Sequence, residues 1–186
     1  MATRIVRTYE DDILRKKCKP VKAFDAKLHM LLDDMAETMY ESNGVGLAAP
    51  QVGMLRRAVV IDIGDGLIEL VNPEIVETDG EQTGTEGCLS VPGKAGDVTR
   101  PNYVKVRAFD RDGNEYEVEG EELMARALCH ELDHLDGILY TDLCDEIYDV
   151  KPEGEEDGEE ADTEETEAEA EEKAEAAGKA AENSGE

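Results

Sequence analysis

Residues 129–137, CHELDHLDG, constrain this chain more than any other stretch. An α-helix turns about 100° per residue, so His130 and His134 stand only about 40° apart on one face, where both imidazoles can reach a single ion. Met124, Leu128, Leu132 and Leu135 fall on the opposite side. A helix patterned this way must lie with one side in a core and the other against a polar cavity. Glu131 and Asp133 flank the histidine pair at about 80° to either side. Glu131 therefore stands where a general base acts on a metal-activated water, and Asp133 where an orienting or salt-bridging group would sit. The spacing also arises by chance on amphipathic helices, so the pair alone does not establish a metal site.

A catalytic centre of this kind needs a third protein ligand and an open position. Cys129 adjoins His130 but projects about 120° from the midpoint of the pair, which makes it a packing residue. Cys18 lies in a lysine-rich segment and Cys144 follows the apolar run GILYTDL; both read as packing thiols. Cys88, in TEGCLSVPG, is the remaining candidate, because a glycine-flanked stretch lets backbone approach an ion; its alternative is a buried thiol in a strand. His29 is a lone histidine of packing or surface type. A second segment, GVGLAAPQVG at 44–53, follows a helix stop. Gly44 and Gly46 would permit unusual backbone angles there, and Gln51 offers an amide donor. It reads either as a plain turn or, beside a metal, as backbone for an extended peptide and a donor for an oxyanion.

The rest of the chain sets the frame. DDILRKKC before Lys19-Pro20 predicts a short helix stopped by proline, and Leu28, Leu31, Leu32, Met35 and Met39 predict a longer one, capped by Asp25 and ended by Asn43-Gly44. RRAVVIDI and LIELVNPEIVE, split by Gly64-Asp65-Gly66, predict one hairpin, and NYVKVRAFD and EYEVEG, around Arg111–Asn114, a second. The histidine helix should run from about Glu121 to Leu135 and end at Gly137. Runs of helices and hairpins without βαβ alternation imply an α+β fold, antiparallel sheets packed around the C-terminal helix. From Lys151 onward the chain carries 16 acidic residues and three lysines with almost no large apolar side chains, so residues 1–150 form the folded domain and 151–186 an acidic, solvated tail.

GVGLAAPQ, EGCLS and HELDH, in this order, resemble the three signature motifs of the peptide deformylases, and the likeness extends through VRTYEDDILRKKC and GILYTD. The resemblance implies a small α+β fold around a metal-binding helix and hydrolysis of the formyl group from N-formylmethionyl nascent polypeptides. It assigns Cys88, His130 and His134 to the metal, Glu131 to the base, and Gln51 with the Leu89 N–H to stabilisation of the carbonyl. Val45 and Gly46 would pair with the substrate backbone, while Val45, Leu89 and Ala127 would line the methionine pocket. It implies one divalent ion, Fe²⁺ first, with Zn²⁺, Ni²⁺ or Co²⁺ able to take the site. A buried Glu86–Arg100 pair steadying the cysteine loop is a further expectation.

The chain departs from the family pattern at Cys129, where glutamine is common, and in its tail. Some relatives dock on the ribosome through a basic C-terminal helix, whereas this tail, at net −13, would be repelled by RNA phosphate. Removing it from the total of −28 leaves −15 on residues 1–150, which disfavours direct nucleic-acid binding and anionic membranes and leaves at most transient ribosome contact. No apolar run serves as a signal peptide or membrane span, so the chain is expected in the cytoplasm. Two rival functions fit less well. A helical zinc endopeptidase would need a third ligand downstream, and a non-catalytic metal module would want four protein ligands, leaving Glu131 and Gln51 without work.

Overall fold

The computed structural model describes residues 2–150; the expected acidic tail, and with it the boundary at 150, falls at or outside the end of the described residues. A five-stranded antiparallel sheet carries the domain. Its strands are β1 (Gly46–Ala48), β2 (Ala58–Ile61), β3 (Ile68–Asp79), β6 (Tyr103–Phe109) and β7 (Glu115–Glu121), in that spatial order. A smaller antiparallel sheet contains β4 (Gln82–Cys88), β5 (Val91–Arg100) and the two-residue β8 (Tyr148–Asp149).

Strand β2 shows how the layers form. Successive side chains of a strand point to opposite faces, and all four of its residues, Ala58 to Ile61, are buried. Val59 and Ile61 pack with Leu70, Val104, Val106 and, from helix α2 (Glu122–Asp136), Leu128, Leu132 and Leu135. Ala58 and Val60 face the other way, onto Leu28, Leu32, Met35 and Met39 of helix α1 (Ala26–Glu41). The large sheet is thus covered on both faces, which explains an unbroken apolar run in an antiparallel strand. Each fully buried leucine or methionine contributes about 1.5–3 kcal/mol relative to exposure. Asp25 caps α1 as its sequence predicts, accepting from the N–H groups of Lys27 and Leu28. Gly137 ends α2 with φ 80°, and a side chain there would also collide with the Arg15 carbonyl.

Both predicted hairpins form. The N-terminal helix forms only in part. Only one 3₁₀ turn appears, Asp12–Arg15, and Lys16 is already extended, four residues before Pro20. The backbone finds tertiary partners instead: the Cys18 N–H donates to the Leu135 carbonyl at 2.8 Å and Lys19 bridges to Arg56. The β4–β5 hairpin, whose glycine-rich strands carry little apolar alternation, is where the structure goes furthest beyond the sequence reading.

Leu128 lies at the junction of α2 and the large sheet with no exposure. Leu128→Ala is expected to destabilise the fold by about 2–5 kcal/mol, read as a lower midpoint in urea with little change in slope.

Candidate metal centre

The two histidines and the cysteine come from different elements that the fold packs together. His130 and His134 sit one turn apart on α2, with ring centroids 5.0 Å apart. Cys88 is the last residue of β4, a strand position that also brings its sulfur near the two imidazoles. One ligating atom from each of Cys88, His130 and His134 lies within 4.8 Å of the others, and Cys88 Sγ stands 3.3 Å from His134 Nε2. A tetrahedral ion bonded at usual lengths would separate sulfur and nitrogen by about 3.5 Å, so the three donors fit a metal.

Each donor is held from behind. His130 Nδ1 donates to Glu86 Oε2 at 2.8 Å, so that in the neutral imidazole the lone pair would lie on Nε2. Burial drives the His134 imidazole well below its usual pKa and keeps it in the neutral, ligating form. The Ser90 N–H donates to Cys88 Sγ at 3.4 Å and steadies the sulfur. The expected Glu86–Arg100 pair is present and bidentate, at 2.9 and 3.1 Å, and Arg100 also reaches Asp133 on α2. Burial would raise the Glu86 carboxyl, but hydrogen bonds from His130 and Arg100 outweigh it and hold the group at about 2.

Glu131, the residue after His130 on α2, is buried, with Oε2 lacking a hydrogen-bond partner among the described residues. Burial pushes its carboxyl up to about 7, against the lowering influence of His130. The Gln51 side chain is fixed at one end, where Oε1 accepts from the Ala48 N–H at 2.7 Å. Its Nε2 points toward the site, 3.1 Å from Ser90 Oγ and 3.5 Å from Cys88 Sγ. Gly44 and Gly46 are needed for space rather than for unusual backbone angles, which corrects the sequence expectation: neither has a positive φ. A Cβ on Gly46 would run into the Glu131 carboxylate, and one on Gly44 would lie 2.8 Å from Leu89 Cδ1. Val45 is exposed, Leu89 half-buried, and Ala127 buried against the α2 core. Cys129 and Cys18 pack in that same core, and burial raises both thiols to about 11.

Sequence reasoning missed three neighbours. Ser90 is the last residue of EGCLS itself and has no exposure. Tyr140 stacks on His130 with ring centroids 6.1 Å apart and 23° between planes; the closing GILYTD was its signal. Arg126, one turn before His130, donates to Glu86 Oε1 at 2.8 Å.

The family model described as polypeptide deformylase matches residues 3–149. The chain belongs to the polypeptide deformylase family. It is 66% identical over 142 residues to the peptide deformylase of Agathobacter rectalis, covering 76% of this chain and 90% of that protein. It is 65% identical over 142 residues to that of Caldicellulosiruptor bescii, covering 76% and 86%. Among solved structures, the Thermotoga maritima peptide deformylase superposes with a TM-score of 0.77 at 41% identity, covering 78% of this chain and all of that one. The Synechococcus elongatus peptide deformylase in complex with actinonin superposes at 0.74 with 38% identity, covering 76% and 78%. The chain is therefore a peptide deformylase by family, a metal-dependent hydrolase that removes formyl from N-terminal formylmethionine. No helix among the described residues is long and apolar enough to cross a membrane.

Two outcomes follow for this deformylase. Gly46→Ala displaces the Glu131 carboxylate and should lower formate release on the order of a hundredfold with metal content unchanged, measured by metal analysis beside the assay. Arg100→Ala leaves Glu86 short of its bidentate partner and should cost about 3–5 kcal/mol of stability together with metal retention.

Proposed function

We propose that Cys88, His130 and His134 hold the catalytic metal of this deformylase, that Glu131 is its general base, and that Gln51 and the Leu89 N–H stabilise the oxyanion. The observation that carries the reading is the convergence of three donor atoms within 4.8 Å of one another, with the buried Glu131 next to His130 on the same helix. A divalent ion held there would supply Lewis acidity, lowering the pKa of the attacking water and polarising the formyl carbonyl. Glu131 takes the proton of that water and delivers it to the leaving amine. Gln51 Nε2, aimed by its bond to Ala48, and the Leu89 N–H receive the charge that develops on the formyl oxygen. Formate and a free N-terminal amine leave.

Substrate backbone is taken up on the outer edge of β1. That strand is terminal in the large sheet, and an extended peptide can add there beside Val45 and Gly46. Leu89, brought against Gly44 by the fold, Val45 and Ala127 form the side of the site that meets methionine. The thiolate of Cys88 favours a softer transition metal, and Fe²⁺ is the proposed ion, with Zn²⁺, Ni²⁺ or Co²⁺ able to replace it. The substrate is a nascent N-formylmethionyl polypeptide, met in the cytoplasm, with no more than passing ribosome contact.

Protein purified without oxygen and loaded with Fe²⁺ or Ni²⁺ is expected to release formate from a formyl-methionyl tripeptide. Glu131→Ala should keep its metal and lose about 10²–10⁴ in turnover. Metal-loaded wild type that releases no formate would refute the assignment.

A further inference from the structure

Arg126 is used by no step of the reaction, yet it is almost fully buried and bonded to several acceptors. From α2, its Nη1 donates to Glu86 Oε1 at 2.8 Å, to the Val98 carbonyl at 2.9 Å and to the Gly84 carbonyl at 3.1 Å. It therefore reaches from the helix that carries the histidines to both strands of the hairpin that carries the cysteine. Arg100 makes the reverse crossing, from β5 to Glu86 and on to Asp133 of α2. The two guanidiniums meet at one carboxylate, and the same carboxylate holds His130 Nδ1.

We infer that Arg126 is a positioning residue that locks α2 to the β4–β5 hairpin and so sets the separation between the Cys88 sulfur and the two imidazoles. Three features support it. Cys88 lies two residues beyond Glu86 on β4, so any slip of the hairpin along α2 moves the sulfur with it. His130 lies four residues beyond Arg126, on the same side of the helix, so a lost anchor at 126 is felt at the ligand. Gly84 leaves room for the guanidinium, since a Cβ at 84 would come within 3.2 Å of Arg126 Nη2. A planar fork with several fixed donors suits this task; an ammonium, a point charge, does not replace it. The Arg100 side chain also grips Glu86 but, among the described residues, bonds to no strand carbonyl of the hairpin, so the two arginines do different work.

The inference rests on the proposed metal centre, and the test separates the two. Co²⁺-loaded wild type, Arg126→Met, Arg126→Lys and the exposed control Arg107→Met are compared by the thiolate-to-cobalt and ligand-field absorption bands, by release of cobalt to a chelator, and by urea unfolding. Wild type without a thiolate-to-cobalt band would overturn the metal assignment itself. With that band present, Arg126→Met is expected to shift the ligand-field bands and release cobalt about ten- to a hundredfold faster, while Arg107→Met matches wild type. Arg126→Lys, which keeps the charge but not the fork, should show a smaller change in the same direction. If Arg126→Met does not fold, the lysine variant decides. A folded variant at 126 that is less stable to urea yet keeps wild-type bands and release rate would reduce Arg126 to a packing role and overturn the inference.

Discussion

The buried carboxylate of Glu86 is the interaction around which this domain is assembled. An ionised carboxylate taken out of water costs several kcal/mol unless its lone pairs are filled, and here Arg100 fills two, Arg126 one and His130 another. Those donors come from β5 and from two turns of α2, so the charge is satisfied only when the small sheet and the C-terminal helix are in their native register. The same bonds choose the His130 tautomer, since a proton fixed on Nδ1 frees Nε2. Stability of the junction and orientation of the His130 ring are thus one arrangement.

Space is the second constraint. Glu131 is buried so close to β1 that a Cβ at position 46 would push its carboxylate aside, and the cost of burying its charge brings a carboxyl group to about 7, the range in which a proton is both taken and given back. Gln51 is treated differently. One end is tied to Ala48, which turns the amide into a fixed donor rather than a mobile one. Burial also separates the two cysteines nearest the histidines: Cys129 is held in the apolar core with its thiol at about 11, whereas Cys88 faces two imidazoles and the N–H of Ser90.

Much of this was legible in the chain itself, and each part for a local reason. The stripe Leu28–Met39, the caps at Asp25 and Gly137, and the turns at Gly64–Gly66 and Arg111–Asn114 depend on neighbours within a few residues, and all appear where the periodicity puts them. The N-terminal segment misled because Cys18 and Lys19 give their backbone to Leu135 and Leu55, partners more than thirty residues away. Gly44 and Gly46 misled because a glycine kept for clearance looks, in a sequence, the same as one kept for its dihedral angles.

By itself the sequence determined the helical face that presents His130 and His134, the exclusion of Cys129 from it, and the family, because angular spacing on a helix and short ordered motifs do not require a fold to be read. Only the tertiary structure decided that Cys88 comes within reach of that face, that Gly46 exists to admit Glu131, and that Arg126 shares Glu86 with Arg100. These are contacts between elements tens of residues apart, and they exist only after two sheets and a helix have closed on one buried charge.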